Sequence, residues 1–408
     1  MSEKKKDRAG GPPVRRRRVV FISGFDPRGA RHYHQLWRED APKAAASHGD
    51  GTEFSLGNRR RRADIVVEWG MNGRMALGRE TIETETVFDF LAWDDVTREL
   101  WPKAAWSFVI DTARTVLRGI AIGYFRRLFA VRRLYLLTLF QPVAILLAVF
   151  LGLYLAVAVP VATGLSLAGE DWRWALFAGG LGILGLRPLL RVLEKGSVLW
   201  RGQLNNYFAH LIYGESPVMQ DRIDRMAEAI ADLAAEGGVD EFLVIGHSVG
   251  TTVAISAFGR ALQRRRADFA AIPVVSFATL GSMTPLLAVE PRAKWFRDEI
   301  AAIAFDPAVT WVDIGAPYDI VCFPLIDPVP VAGHERPKDA RPSPLMVTPR
   351  YHALFDAEGY KRLRADAERM HVQYLLATPK AGRCDFMALV AGPLSLKDRF
   401  PDSVSSKG

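Results

Sequence analysis

Short apolar runs alternate with longer amphipathic stretches along this chain, and the alternation predicts an α/β fold. The apolar runs that predict strands are residues 19–23, 63–69, 86–91, 242–245, 273–279 and 310–314. Runs of about four to eight apolar residues bounded by turn residues are typical of strands buried on both faces of a sheet. The stretches with helical spacing are residues 200–213, 216–236 and 356–378. We therefore expect a doubly wound, mostly parallel sheet with helices on its faces.

Two further stretches of the chain show neither the strand pattern nor the helix pattern. Residues 51–62 are polar and basic, so we expect a connection there. Residues 323–344 are rich in proline and predict irregular structure.

The most informative local pattern surrounds residue 248. An apolar run is followed at once by Gly-His-Ser-Val-Gly at residues 246–250, and residues 251–262 are then rich in helix-forming apolar residues. Strand, Gly-x-Ser-x-Gly and helix is the arrangement of a nucleophile elbow, in which Ser248 would sit on a sharp, strained turn. Side chains at Gly246 and Gly250 would collide with neighbouring backbone. The alternative is an ordinary glycine–serine turn between a strand and a helix.

The middle of the chain is far more apolar. Residues 134–169 contain no charged residue. Because crossing the hydrocarbon layer takes about 20 apolar residues, this run predicts a transmembrane helix. A second, shorter apolar run covers residues 174–186. Since strands of one sheet are predicted on both sides of this region, the chain must return, as a helical hairpin or a re-entrant loop.

Positive charge flanks this apolar region on both sides. The flanking cations are Arg126, Arg127, Arg132 and Arg133 before it, and Arg187, Arg191, Lys195 and Arg201 after it. The short loop at residues 170–174 has little positive charge, and Trp172 and Trp174 suit the outer interface. By the positive-inside rule both ends are cytoplasmic, which predicts a bacterial inner-membrane protein with a cytoplasmic catalytic domain.

A basic amphipathic helix is expected before the apolar region. Asp94 and Asp95 suit a cap, and residues 96–128 keep a helical stripe of apolar side chains with arginines mostly between them. This pattern is typical of a helix that lies in a membrane interface. The first half would suit a helix packed on the sheet equally well.

Composition and charge narrow the class of protein. The 408 residues are 49% hydrophobic, which is enough for a sizeable core in one large domain or two. Cys322 and Cys384 are the only cysteines, so no disulfide framework is expected. The net charge of +8 is concentrated partly in residues 1–18, which we expect to be a disordered tail that solubilises the chain or contacts anionic lipid. This tail lacks the apolar segment of a signal peptide, and no nucleic-acid-binding motif is evident.

A serine nucleophile needs a base, and the base needs an orienting acid. After Ser248 the chain contains only His334, His352 and His371. We favour His371, on a predicted helix, as the base, with His352 as its rival. A histidine near a helix end is also often only a structural hydrogen-bond partner.

The acid should lie beyond a strand end at the edge of the sheet where Ser248 emerges. Asp319 fits this position best, and Asp313 and Asp327 are the alternatives. An oxyanion is expected to accept hydrogen bonds from the backbone N–H groups of Val249 and Phe25.

Metal chemistry is not expected. His32 and His34 suit metal ligation by type, but no third ligand is apparent nearby, so surface or pocket-lining roles are favoured. We expect neither a metal nor another cofactor.

The residues described above also resemble a known family. Residues 17–110 and 238–379 resemble the α/β-hydrolase superfamily in its lipase and esterase branch. The segments that carry the resemblance are Phe21-Ile22-Ser23-Gly24-Phe25, the elbow at residues 246–250, Trp311-Val312-Asp313 with Asp319-Ile320-Val321, and His371-Val372-Gln373-Tyr374. The resemblance implies a doubly wound sheet and Ser–Asp–His catalysis through an acyl-enzyme. This chain departs from the family in having Ser23 where many members have histidine, and in its apolar insertion before the elbow strand.

These observations together predict a domain organisation and a function. The expected segments are a disordered basic tail at 1–18, the first part of the hydrolase domain at 19–110, a helical membrane-embedded insertion at 111–199, the second part of the hydrolase domain at 200–396 and a tail at 397–408. The expected function is a membrane-anchored serine hydrolase that cleaves lipid-like carboxylic esters, with the lipid bilayer as partner. An acyltransferase with the same triad and a non-catalytic membrane scaffold are the alternatives.

Overall fold

The computed structural model describes residues 11–100, 105–133, 135–185, 197–212, 216–337 and 342–401. The chain divides into two compact units, each described by itself below. The first unit combines Met1–Glu99 with Ser216–Gly408, and the second is Leu100–Glu215. Arg187, Arg191 and Lys195, which were expected to flank the apolar region, lie outside the described residues.

One sheet organises the first unit. Its strands are β1 (Arg16–Ile22), β2 (Glu53–Leu56), β3 (Arg60–Arg61), β4 (Val66–Leu77), β5 (Glu80–Leu91), β6 (Glu241–His247), β7 (Val274–Leu280), β8 (Val309–Ile314) and β9 (Leu345–Val347). Their order is β2-β4-β5-β1-β6-β7-β8-β9, with β3 paired to β4. The ladder from β5 to β9 is parallel, whereas β2, β3 and β5 pair with β4 in antiparallel fashion. The predicted α/β class and mostly parallel sheet are confirmed, but one edge is antiparallel.

The antiparallel edge corrects two expectations. Strands expected at 63–69 and 86–91 are the buried ends of a long hairpin formed by β4 and β5. Toward the turn, buried and exposed residues alternate, so an apolar run does not mark these arms. The connection expected at 51–62 contains β2 and β3, whose side chains are largely exposed on the sheet edge.

The prediction that residues 1–18 form a disordered tail is wrong for residues 16–18, because β1 begins at Arg16. Arg17 and Arg18 are buried. Arg17 Nε donates to Glu241 Oε2 at 2.7 Å, and Arg18 Nη1 donates to Glu236 Oε2 at 2.7 Å. A run of arginines that suggests a solvated segment is here part of the sheet, where Arg17 pairs with the buried Glu241 and Arg18 with the exposed Glu236.

Helices flank this sheet. The α-helices of the first unit are Gly29–His48, Asp94–Glu99, Pro217–Ala235, Gly250–Arg265, Pro285–Ala288, Lys294–Ala304, Pro328–Val331, Tyr351–Leu354, Ala357–Ala365, Ala367–Val372, Phe386–Ala391 and Leu396–Arg399, with 3-10 turns at Arg266–Phe269 and Gln373–Leu375. The predicted helix at 356–378 is interrupted at Asp366, whose side chain accepts from Arg369 N at 2.9 Å and caps the next helix. The described part of the stretch expected to be irregular at 323–344 contains one helical turn, Pro328–Val331.

An aromatic cluster forms the core on one face of the sheet. Trp37 stacks on Phe386 with ring centroids 4.8 Å apart, and Trp69 stacks on Phe88 at 4.8 Å. Phe21 of β1 lies among these rings. The helix Gly29–His48 and the C-terminal helices therefore cover the face to which alternate residues of the central strands point.

The second unit is helical. Its helices are Ala105–Ala121, Tyr124–Val131, Tyr135–Leu167, Trp174–Gly179 and Ser197–Ile212, with a 3-10 stretch at Gly180–Gly185. The amphipathic helix expected over 96–128 is therefore broken. Gly123 adopts a left-handed φ of 68° and separates two of its pieces.

The apolar region contains one candidate membrane span. Within the helix Tyr135–Leu167, Leu147–Leu167 has a mean hydropathy of 2.1 and only 6% of its most apolar window is buried. Among the described residues it is the only helix long and apolar enough to cross a membrane. The expected return segment reverses beside it: Tyr154 Oη donates to Leu176 O at 2.9 Å, and Gly182 lies against Leu153 O. The described part of this segment is too short to span.

Replacing Arg17 with methionine is expected to lower the free energy of unfolding by about 3–5 kcal/mol, because Glu241 would remain buried without its cation. The exposed neighbour Arg16 is the matched control, and Arg16→Met should change stability by less than about 0.5 kcal/mol. Urea unfolding of the protein in detergent measures both. Equal effects of the two substitutions would show that the buried pair carries no special share of the stability.

Candidate active site

Ser248 lies on the turn between β6 and the helix Gly250–Arg265. Its φ is 56°, in the left-handed region, which only three non-glycine residues of the described chain adopt. Ser248 N donates to Leu280 O at 2.9 Å, and Ser248 O accepts from Thr251 Oγ1 at 2.6 Å. Such a backbone conformation costs about 1–3 kcal/mol and persists only where the surroundings hold it in place.

The two glycines of the motif fit for steric reasons. A Cβ at Gly250 would lie 2.3 Å from Ser23 O, and a Cβ at Gly246 would lie 2.8 Å from Gly250 O. The predicted need for glycine at both positions is confirmed. The same close approach places Gly24 against Ser248, where an added Cβ would lie 3.1 Å from Ser248 Cβ.

The structure brings together three of the residues singled out from the sequence. His371, on the helix Ala367–Val372, places Nε2 2.7 Å from Ser248 Oγ, and its Nδ1 lies 2.7 Å from Asp319 Oδ2. Because an ionised carboxylate only accepts, Nδ1 carries the proton and Nε2 is free to accept from the serine hydroxyl. The exposed fractions are 4% for Ser248, 5% for His371 and 0% for Asp319. This chain of hydrogen bonds is suited to proton transfer from the serine.

The other candidates lie in different surroundings. The rival base His352 is exposed, and its ring packs against Tyr360 with centroids 6.3 Å apart. His334 Nε2 pairs with Arg297 O at 3.0 Å. Neither histidine hydrogen-bonds to Ser248 in the described structure.

The alternative acids are likewise engaged elsewhere. Asp313 Oδ2 accepts from Thr279 Oγ1 at 2.6 Å within the sheet, and burial raises the pKa of Asp313 to about 7. Asp327 caps the turn Pro328–Val331 and pairs with Arg336. Asp319 is thus the carboxylate that the structure places at the imidazole.

Two further side chains, which the sequence did not single out for a role, contact this carboxylate. Tyr374 Oη donates to Asp319 Oδ2 at 3.0 Å, and Cys322 Sγ donates to the same oxygen at 3.1 Å. Burial acts to raise the pKa of Asp319, but the nearby His371 and the donated hydrogen bonds outweigh it and hold that pKa below its usual value. Tyr374 follows His371 by three residues, one helical turn, and that spacing was the signal available in the sequence.

The donor atoms of Asp319, Cys322 and His371 lie within 4.8 Å of one another, a grouping that could in principle hold a metal. The imidazole nitrogen and carboxylate oxygen are 2.7 Å apart, a hydrogen-bond distance. Two ligands bound to one zinc ion at about 2.0–2.2 Å in tetrahedral geometry lie more than about 3 Å apart. We therefore assign these atoms to a hydrogen-bonded network.

The variable residue of the motif, His247, contacts His371. Its Nε2 donates to His371 O at 3.0 Å, and the two rings lie 5.3 Å apart. Burial, together with the nearby His371, lowers the pKa of His247 to about 3. A neutral His247 therefore holds the backbone of His371 without adding charge beside its ring.

The predicted oxyanion donors lie on two turns beside the serine. Val249 directly precedes the helix Gly250–Arg265, and Phe25 directly follows Gly24. The Phe25 turn is anchored, because Trp93 Nε1 donates to Ser23 O at 3.0 Å. The role of both N–H groups stays a prediction.

The histidines considered as metal ligands are placed on the helix Gly29–His48. His34 Nε2 pairs with Gly57 O at 2.9 Å. Burial, followed by the charge of Arg28, lowers the pKa of His32. Neither histidine belongs to a metal-type grouping in the part of the chain that the structure describes.

The chain matches no protein-family model, no curated protein and no solved structure.

Tyr374→Phe is expected to shift the acid limb of the reaction between Ser248 and a fluorophosphonate to higher pH by about half to one unit. Without the hydroxyl, Asp319 loses a donor that favours its ionised form, so the pKa of this carboxyl rises and the ionised carboxylate is present only at higher pH. The measurement is the labelling rate as a function of pH. Tyr351→Phe is the control, because the buried Tyr351 ring packs 6.2 Å from Tyr374. A slower rate with an unmoved midpoint would leave Tyr374 only a packing role.

Proposed function

We propose that this protein is a serine hydrolase that cleaves carboxylic esters through an acyl-enzyme. Ser248 is the nucleophile, His371 the general base and Asp319 the orienting acid. The observation that carries the proposal is the unbroken chain of two 2.7 Å contacts from Asp319 through His371 to a serine with strained backbone.

The reaction follows from this geometry. Ser248 Oγ attacks the ester carbonyl carbon while its proton moves to His371 Nε2, and Asp319 stabilises the imidazolium that forms. The tetrahedral oxyanion accepts hydrogen bonds from the N–H groups of Val249 and Phe25. His371 then gives its proton to the leaving alkoxide, so the alcohol departs and the acyl-enzyme remains. A water molecule, deprotonated by His371, attacks the acyl carbonyl and releases the acid and free Ser248.

The placement of the three residues supports membership of the α/β-hydrolase superfamily as part of this proposal. The serine follows β6, the acid follows β8 and the histidine follows β9, in the chain order of that family. Ligands bind outside the carboxyl ends of parallel strands in open α/β sheets. The antiparallel edge formed by β2, β3 and β4 is a departure that lies on the far side of β5 and β1 from the serine.

We further propose that the protein is held at the bacterial inner membrane with its catalytic domain cytoplasmic. Support comes from Leu147–Leu167, which is apolar over 21 residues and mostly exposed on the outside of its own unit. The arginines that precede the helix suit the cytoplasmic side. A membrane location favours esters that partition into lipid, so the proposed substrates are lipid-like carboxylic esters.

Labelling by a fluorophosphonate probe tests the nucleophile. Wild-type protein in membranes should be labelled, Ser248→Ala should lose labelling, and His371→Ala should slow it by at least about a thousandfold. His352→Ala is the matched control and should label at the wild-type rate. Folded wild-type protein that stays unlabelled would exclude an activated serine and favour a non-catalytic scaffold.

Alkaline carbonate extraction tests the anchor. Leu151 and Leu155 are exposed and one turn apart within the candidate span. The double variant Leu151→Asp/Leu155→Asp should move the protein from the membrane pellet toward the supernatant, because each charge at the centre of the bilayer costs about 2.5–3.5 kcal/mol. Val218→Asp, at an exposed apolar residue of the first unit, should stay in the pellet. Labelling of Ser248 reports whether each variant is folded, and a folded double variant that remains in the pellet would contradict the anchor.

A further inference from the structure

A cavity of the first unit, away from Ser248, is lined mainly by polar and basic side chains. Its volume is about 790 Å³, and it lies between the helix Gly29–His48 and the turn that leads into β3. Arg31 and Arg38 line it from the helix, and Arg59 lines it from the turn. Arg31 and Arg38 are seven residues apart, close to two helical turns, so both point from the same face of the helix.

The charge on these three arginines is not neutralised by the protein. Within the described chain, no carboxylate pairs with Arg31, Arg38 or Arg59. The residues that follow Arg59 differ, because Arg60 and Arg62 both pair with Glu68. Arg61 donates to the backbone oxygen of Asp64, so Arg59 is the member of this run that both lines the cavity and has no carboxylate partner among the described residues.

One acidic side chain lines the cavity. Glu39 accepts a hydrogen bond from Gln35 Nε2 at 2.9 Å, one turn away on the same helix. Three cations against one carboxylate leave the cavity positive. Like charges gathered in this way repel one another, and a bound anion would relieve that repulsion.

The walls of the cavity are fixed relative to one another. His34 Nε2 pairs with Gly57 O at 2.9 Å, which ties the helix to the turn that carries Arg59. Gly57 N in turn donates to Gly70 O of β4 at 2.9 Å, and the His34 ring packs edge-on against Trp69. The backbone segments that carry the arginines are therefore held at a fixed separation, so binding need not pay to bring the helix and the turn together.

We propose that this cavity binds a phosphate group, as a phosphomonoester or phosphodiester. Guanidinium groups form paired, charge-assisted hydrogen bonds to phosphate oxygens, and several such forks suit a group with three or four acceptor oxygens. None of the described residues that line the cavity is Phe, Tyr or Trp, and the one ring among them, His34, packs edge-on against Trp69. The cavity therefore lacks the broad stacking platforms on which nucleic-acid bases bind. The phosphate can come from a lipid headgroup or from a soluble phosphate ester. This inference is independent of the proposed chemistry at Ser248.

The test uses the full-length protein in uncharged detergent micelles and two probes, inorganic pyrophosphate and dihexanoyl phosphatidic acid. Titration calorimetry should show binding to the wild type. The triple variant Arg31→Gln/Arg38→Gln/Arg59→Gln should lose at least about tenfold in affinity, because charge-assisted hydrogen bonds are removed. The triple variant Arg74→Gln/Arg79→Gln/Arg362→Gln removes the same charge from exposed positions outside the cavity lining and should bind within about twofold of wild type.

The outcomes separate the possibilities. Tighter binding of phosphatidic acid than of pyrophosphate, lost in the cavity variant, assigns the site to a lipid headgroup, and the reverse order assigns it to a soluble phosphate. Equal losses in the two triple variants would show general charge attraction and overturn the proposal, as would absence of binding to the wild type. Matching thermal unfolding of both variants confirms that they are folded, since all six positions are exposed.

Discussion

The backbone of the nucleophile turn passes so close to the end of β1 that only a hydrogen atom fits at residue 250. The rest of the site depends on this contact. It forces the helix Gly250–Arg265 to begin beside Ser23, brings Gly24 against Ser248 and leaves the serine in a left-handed conformation. Any side chain that separated the helix from β1 would move Ser248 away from the turn at Gly24 and Phe25.

The strained turn at Ser248 lies at the carboxyl end of the central strands, and a buried ion pair lies at their amino end. Arg17 at the start of β1 pairs with Glu241 at the start of β6, and Glu241 Oε1 also accepts from Ser276 Oγ of β7 at 2.6 Å. Three adjacent strands are thus tied together below the elbow. At the carboxyl end of the strands, one oxygen of Asp319 accepts hydrogen bonds from three side chains. Buried charge is satisfied at both ends, so the sheet holds the serine in place from two directions.

The local chemistry of the elbow could be predicted because the steric demand on Gly246 and Gly250 arises within a few residues. The order of serine, acid and histidine along the chain limited the candidate partners of Ser248 to a few aspartates and histidines. The geometry places Asp319 and His371 at the serine. Tyr374 and Cys322 both donate hydrogen bonds to Asp319 as a result of tertiary packing. The spacing of residues in the sequence does not indicate this role for Cys322. The sequence predictions failed mainly in charged segments and in segments where buried and exposed residues alternate. The arginines at the start of β1 were expected to be solvated. The outer parts of β4 and β5 contain no apolar run, so the predicted strands stopped short of them.

The discontinuity of the first unit has a consequence for how the protein is made. Arg17 leaves the ribosome 224 residues before its partner Glu241, a delay of roughly 10 to 45 seconds at ordinary synthesis rates. During that interval β1 has β5 on one side and an open edge on the other, and the apolar helix Tyr135–Leu167 emerges before that edge is covered. An unpaired edge of this kind templates aggregation. The order of synthesis therefore leaves the nascent chain dependent on protection of this edge and of the apolar helix before the second half of the sheet exists.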